Sequence, residues 1–390
     1  MTGEFEAKSS TTTTAAALLA GPRGRRMLLA YVMDAEQIRR PEPHDDSFRS
    51  AIVRASHHLD PERDSSVTYS RVTYSRVAYE SGAEVPLEEL LRAVVTADDV
   101  AHRLSQVPLP VVTEVALRSA LSAATDSARY WQDPDGEDVL AATEPVRQEL
   151  RRVAEHIARS PHAQWWTTAL AEADQWVIVS RGDDSPDTFE PAAAELLSAW
   201  YERILELEAR AADRPTDPTA NVSGRWWSNP SVRCSTRTLF DGAPAELWFV
   251  EDSMGWERIA VRKVGTPAGA RIYEIDGAQA WAELCRRFPL EVTAEKRHDW
   301  YRTTGRSGRW VIPNWQLVAK DYAGVHLTVA GYLAAAGTAI QVEAETASVI
   351  AGWAPDATCW LADPDRIGDE SRTWVLDSRE HPEWVEETQR

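Results

Sequence analysis

The stretch Ala211-Ala-Asp-Arg-Pro-Thr-Asp-Pro-Thr-Ala220 separates two differently patterned halves of the chain. It holds two prolines and no other apolar residue larger than alanine, the composition of a linker. Upstream, from Glu84 to about Ala212, apolar residues recur with helical spacing. Pro86 opens one such run, and Leu87, Leu90, Leu91, Val94 and Val95 follow at i, i+3, i+4, i+7 and i+8. Thr143-Glu-Pro145 opens a second helix, with Val146, Leu150, Val153 and Ile157 on one face. A third starts near Pro191 and aligns Leu196, Trp200, Ile204, Leu207 and Ala211. Trp176-Val-Ile-Val-Ser180 is short and β-branched and reads as a strand.

Downstream the period changes. Leu247–Val250, Ile259–Val261, Arg271–Ile275, Trp310–Ile312 and Val325–Val329 read as strands, and Ala278–Phe288 and Asn314–Asp321 as short helices. The fold class expected is α+β: a mainly helical N-terminal region followed by a Trp-rich mixed α+β domain. The boundaries implied are an N-terminal segment 1–83, a helical domain 84–212, an α+β domain 222–363 and a C-terminal tail 364–390. Within the first segment, Gly21-Pro-Arg-Gly-Arg-Arg26 reads as a basic helix start or, in the favoured reading, a solvated turn, and Arg49–His57 as a short helix. Val67-Thr-Tyr-Ser-Arg71 is repeated as Val72-Thr-Tyr-Ser-Arg76 and partly as Val77-Ala-Tyr79, which favours strand or hairpin.

Composition narrows the function. The 390 residues carry 42 Lys+Arg against 61 Asp+Glu, a net charge of −19. That excludes a broad basic surface for nucleic acid and disfavours anionic membranes. Only four basic residues are lysines, the codon bias of a high-GC bacterium, so arginine by itself carries no message. Three cysteines, Cys234, Cys285 and Cys359, are widely spaced. They suggest neither a disulfide framework nor a zinc site, but small buried hydrophobes in a reducing cytoplasm. No basic leader and no run of roughly 18 apolar residues is present, so a soluble cytoplasmic protein is expected.

Against this acidic background Lys296, Arg297, Arg302, Arg306 and Arg309 invert the local charge. Arg302-Thr-Thr-Gly-Arg-Ser-Gly-Arg309 is loop-like and rich in donors, suited to a phosphate or carboxylate. Trp300, Trp310 and Trp315 bracket it, and an indole beside arginines can stack a flat ring. His298, Asp299 and Tyr301 precede it and have side chains capable of proton transfer. His326 lies on the alternating face Gly324, His326, Thr328. Arg271 and Tyr273 share a face that Glu274 opposes, and Glu343-Ala-Glu345 places two carboxylates on one side. Each pattern also has a structural reading: solvated charge, core filler or surface strand.

Roughly Gly224–Asp363 resembles uncharacterised Trp-rich proteins typical of actinobacteria, through Trp300-Tyr-Arg-Thr-Thr-Gly305, Val311-Ile-Pro-Asn-Trp315 and Asp321-Tyr-Ala-Gly-Val-His-Leu-Thr328. That resemblance implies no activity. Over about 80 residues, Arg271 and Glu343-Ala-Glu345 are also similar to the first and last elements by which ADP-ribosyltransferases bind and activate NAD. The middle Ser-Thr-Ser element is not matched: Ser235-Thr-Arg237 precedes Arg271, and His326-Leu-Thr328 is a poor substitute. This second resemblance implies NAD as cosubstrate and a transferase activity.

Two readings follow. One is an intracellular enzyme or ligand-binding protein for a nucleotide-like or other aromatic anionic small molecule. In it Arg302, Arg306, Arg309 and Arg271 hold the anion, Trp300 or Trp315 stacks on the ring, and His326 or His298 transfers protons. The other is a non-catalytic protein whose acidic helical half docks a protein partner. Neither reading involves nucleic acid, membrane or metal.

Overall fold

A computed structural model describes residues 15–39, 47–61, 94–181, 191–252, 255–267, 269–364, 366–377 and 382–387. The repeat at 67–79 and most of the helix expected after Pro86 lie outside them. The fold is α+β, with the helical N-terminal region expected. It divides into two compact units: Met1–Ala124 with Gln132–Gln164, and Thr125–Trp131 with Trp165–Arg390. The boundary is therefore not the proline-rich stretch at 211–220, because the helix and strand that precede that stretch belong to the second unit.

The described part of the first unit is built from helices α1 (Pro22–Arg39), α2 (Phe48–Leu59), α3 (Ala97–Gln106), most of α4 (Glu114–Asp126), α5 (Gly136–Ala142) and α6 (Glu144–Ala158). Helix α6 follows its pattern: Val146, Leu150, Val153 and Ile157 are all buried. Helix α3 starts with a capping box between Thr96 and Asp99. At Gly21–Arg26 the helix start holds and the solvated turn does not: the stretch leads into α1, with Arg23 buried and Arg25 and Arg26 half-buried. Buried Arg23 pairs with Asp138 and donates to the Ala124 carbonyl at 3.0 Å. Arg26 pairs with Asp135 at 2.7 Å and Glu137 at 2.9 Å. A buried guanidinium needs such carboxylates, and they stand more than a hundred residues away, where local patterning cannot reveal them.

The second unit holds two mixed sheets. Strands are β1 (Trp176–Arg181), β2 (Cys234–Thr236), β3 (Arg258–Gly265), β4 (Ile272–Ile275), β5 (Pro289–Glu291), β6 (Arg309–Pro313), β7 (Gly324–Leu327), β8 (Ile340–Gln341), β9 (Thr346–Ser348), β10 (Thr358–Trp360), β11 (Arg366–Asp377) and β12 (Glu383–Glu386). Helices are α7 (Ala193–Ala211), α8 (Ala278–Arg287), α9 (Thr293–Thr304), α10 (Trp315–Val318) and α11 (Val329–Ala335). The larger sheet has the order β12-β11-β3-β1-β2-β10-β7-β4, with β4 and β7 parallel; the smaller is β5-β6-β9-β8.

Four readings change here. Leu247–Val250 is not a strand: Pro244 leads into a 3-10 turn at Ala245–Leu247 that sinks Leu247 into a cluster with Trp176, Ile259, Val261, Trp374 and Trp384. The supposed tail 364–390 supplies β11 and β12, which carry Trp374 and Trp384 to that cluster. The loop expected over Arg302–Arg309 is shorter than read: α9 continues to Thr304 and ends on Gly305, at φ 69°, a left-handed C-cap that glycine adopts without penalty, and only 305–308 is irregular before β6 begins at Arg309. Finally, Cys234 and Cys359 form a disulfide although 125 residues apart, because they sit opposite each other on β2 and β10. Cys285 stays a buried free thiol. Among the described residues, no helix is long and apolar enough to cross a membrane.

Candidate functional site

Neighbouring strands bring four polar residues into one row. Ser235 on β2 pairs with Thr358 on β10, Thr358 with His326 on β7, and His326 with Glu274 on β4. Register partners point to the same face, so these four side chains stand side by side. His326 and Thr358 are a non-hydrogen-bonded pair, flanked by the Leu327 N–H to Ala357 carbonyl bond of 3.0 Å. Side chains approach closest in such pairs.

His326 is fully buried, and both of its ring nitrogens face carboxylates. Nδ1 is 2.5 Å from Glu274 Oε2, and Nε2 is 3.3 Å from Asp356 Oδ1. Two carboxylate acceptors require two N–H donors, which is the imidazolium form. Burial works against that charge. The hydrogen bonds to Asp356 and Glu274, and their negative charges, outweigh it and raise the pKa of His326 above its ordinary value.

Asp356 is anchored from behind. Arg237, just past β2, donates from Nε to Oδ1 and Oδ2 at 2.8 and 2.9 Å, and Nη2 lies 2.7 Å from Oδ1. The Arg237 backbone N–H adds a bond to Oδ2 at 3.2 Å. Asp356 has φ 66°, a left-handed conformation that Asp tolerates better than most residues and that costs energy at any residue with a Cβ. The bent backbone brings its carboxylate under the imidazole.

Solvent access decides which group can meet a ligand. The side chains of His326 and Asp356 are 1% and 2% exposed, whereas that of Glu274 is 31% exposed. Glu274 Oε1 also accepts the Leu170 N–H at 3.1 Å. Segment 165–170 lies against Glu274 and Arg237. Arg237 lies 4.9 Å over the Trp165 ring and donates to Thr168 Oγ1 at 3.2 Å and the Ala169 carbonyl at 3.3 Å. The chain Arg237–Asp356–His326–Glu274 thus ends in a half-buried carboxylate. It can hold a proton on the imidazole and pass it through Glu274 to a bound molecule. Among the described residues, no group of three His, Cys, Asp or Glu could hold a metal ion.

The arginine-rich segment does not form the expected cradle. Arg302 is used internally: it pairs with Asp299 at 2.5 Å and donates to the Trp131 and Val222 carbonyls at 2.8 and 2.9 Å. Arg306 lies 4.8 Å over Trp310 and donates to the Arg309 and Glu345 carbonyls. Arg309 pairs with Glu291. Trp300 and Trp315 cannot stack on a ligand, because both are fully buried with their indole N–H groups bound to the Trp226 and Ser228 carbonyls. Trp315 instead packs with Trp281 and Trp353, with ring centroids 6.1 and 5.9 Å away. Arg271, just before β4 of the larger sheet, is exposed and lies 5.0 Å over Tyr322, whereas Glu343 and Glu345 lie in the turn between β8 and β9 of the smaller one. The structure does not place these three on one strand pair.

His298 and Asp299 belong to a different cluster, on α9. Glu295, Lys296, His298 and Asp299 are all buried there, and Tyr301 is half-buried on the same helix. They hold down the proline-rich stretch. Lys296 Nζ donates to the Arg225 carbonyl, His298 Nε2 lies 3.1 Å from the Pro215 carbonyl, and Asp299 accepts from Ser223 Oγ and the Gly224 N–H at 2.8 Å each. Glu295 accepts the Arg225 N–H at 2.7 Å and pairs with Arg214 at 3.1 Å. A Cβ at Gly224 would lie 2.4 Å from Glu295 Oε1, so a larger residue would push that carboxylate aside. Burial pushes the Lys296 ammonium down to about 7, with Glu295, Asp299 and Glu208 opposing and Arg225 reinforcing the shift.

Sequence reasoning found His326 and noticed Glu274, but missed Asp356 and Arg237. The available signal was Trp353-Ala-Pro-Asp356, a proline-led turn placing an acid just before a strand. Compared with known proteins, the chain matches no family model, no curated protein and no solved structure.

Proposed function

We propose that the second unit is an enzyme that acts on a small molecule by proton transfer at Glu274. Glu274 is the group that meets the substrate. His326 stores the proton beside it, and Asp356 and Arg237 fix the imidazole. The observation that carries this reading is a buried histidine clamped between two carboxylates, of which only Glu274 opens appreciably to solvent. Perturbed histidines coupled to carboxylates are the usual working parts of acid–base catalysis. The half-buried Trp165 under Arg237 supports a substrate with a flat ring, so the nucleotide-like class remains the class to test first. Arg302, Arg306 and Arg309 take no part, being committed to carbonyls and carboxylates of the chain itself. NAD enters as one member of the panel, since Arg271 precedes β4 of the larger sheet and Glu343-Ala-Glu345 lies in the β8–β9 turn of the smaller one.

The test is a panel of nucleosides, nucleotides, NAD and aromatic acids. Binding is read from the NMR signals of the His326 imidazole and the Trp165 indole, and turnover from the spectra of the panel compounds. At least one compound should shift both protein signals, and Glu274→Gln should abolish its turnover while leaving the fold intact. A panel that moves neither signal contradicts the proposal, as does turnover that survives Glu274→Gln.

A further inference from the structure

The disulfide joins the two strands that deliver the Arg237–Asp356 pair. Cys234 and Cys359 lie opposite each other with Cα atoms 4.1 Å apart, at a non-hydrogen-bonded position shown by the flanking Trp360 N–H to Arg233 carbonyl bond of 2.9 Å. One step along the register is Ser235↔Thr358, the start of the polar row. Just beyond are Arg237, past the end of one strand, and Asp356, ahead of the other. Strand β2 has three residues and is registered with β10 at only two positions and with β1 at two. So short a strand gains little from its ladder, and a covalent link to β10 contributes a large part of its placement. Cys234 is half-buried, while Cys359 is 1% exposed, so Cys234 is the less enclosed half of the bond.

We propose that the Cys234–Cys359 disulfide is a redox latch on the His326 site. With the bond closed, β2 and β10 stay in register, and Arg237 holds Asp356 beneath the imidazole. A dithiol reductant opens the latch by thiol–disulfide exchange. Its first thiolate attacks one sulfur and releases the other cysteine as a thiolate that takes up a proton. The second thiolate of the reductant then closes on the mixed disulfide, leaving two cysteine thiols and one oxidised dithiol. Opening frees β2 to shift, loosens Asp356, and removes one of the two carboxylates that hold the imidazole charged. This inference rests on the proposed role of His326 and adds a control to it. The third cysteine keeps the chemistry simple: Cys285 is fully buried, and burial pushes its thiol up to about 12, so it does not compete in exchange.

The experiment uses the full chain, purified without reductant. Alkylation after denaturation, read by mass spectrometry, should find one free thiol, and three after treatment with dithiothreitol. Three free thiols in the untreated protein would overturn the latch. His326 is then titrated by its imidazole NMR signals in the oxidised protein, in the reduced protein and in Cys234→Val/Cys359→Val. Reduction and the double variant should each lower the His326 midpoint by about one unit, a tenfold change in its protonation equilibrium. A high midpoint unchanged by reduction would overturn the latch and leave the site standing. An ordinary midpoint in the oxidised protein would overturn both. If the double variant does not fold, reduction of the wild-type protein under native conditions carries the test.

Discussion

Two buried bases in the second unit have opposite fates. His326 is buried between two carboxylates and is driven toward its charged form. Lys296 is buried against the Arg225 carbonyl, with Arg225 nearby adding positive charge, and is driven toward its neutral form. Burial penalises both cations, so the difference comes from what each nitrogen touches. Glu274 and Asp356 bond the imidazole directly. Around Lys296, Glu295 accepts from the Arg225 N–H and pairs with Arg214, and Asp299 accepts from Ser223, Gly224 and Arg302. Those carboxylates are occupied with pinning the chain. One cluster holds a charged imidazole between two carboxylates, one of them half-buried; the other spends its charges on holding a segment without regular structure against a helix.

The comparison can be broken most severely at Asp356. Asp356→Asn keeps a side chain that tolerates the left-handed backbone but leaves Arg237 without its buried partner. It should cost about 3–5 kcal/mol in urea unfolding, and a loss below about 1 kcal/mol would mean that the pair anchors nothing. The next largest effect lies at Lys296. The unfolded lysine keeps its proton up to the ordinary lysine value of 10.5, whereas the folded one releases it at about 7. The unfolded chain therefore binds more protons between those values, and stability should rise with pH there by up to about 1.4 kcal/mol per unit. Lys296→Met should remove that slope in unfolding curves measured across the window.

His326 should act with the opposite sign. Its folded pKa is raised, so its contribution is fully present below the ordinary histidine value and is lost as pH rises through the folded one. His326→Gln should abolish this decline, which unfolding curves collected from pH 5 upward will show. The smallest effect belongs to the surface arginine pair. Arg309 and Glu291 are 55% and 45% exposed, and Arg309→Ala should change stability by less than about 1 kcal/mol. It should also leave ligand binding untouched, which a titration with any compound found in the panel will check.

Much of the scaffold was legible because it depends on short-range periodicity. The face of α6, the strands β1, β3, β4, β6 and β7, and the helix α8 all follow residues that are close in sequence. The failures share a cause. The partners of His326 stand 52 residues before it and 30 after it, and Arg237 and Asp356 are 119 apart. Only strand order and register bring them together, and no local pattern encodes either. The same holds for Cys234 and Cys359, and for Arg23 and Asp138. Helix α9 was hidden differently: its buried face carries Glu295, Lys296, His298 and Asp299, so hydrophobic periodicity reports nothing. Its arginines read as a ligand cradle because a sequence shows charges without showing the carbonyls that use them.

The central claim is that a charged imidazole bridges Glu274 and Asp356. The most direct measurement is the pair of His326 ring nitrogen resonances, followed as pH is raised from 5 in the oxidised full-length protein. Both nitrogens should remain protonated well past the pH at which an exposed histidine loses its charge, and Glu274→Gln should bring the transition down. A neutral ring at pH 6.5, or a transition that ignores Glu274→Gln, would contradict the account.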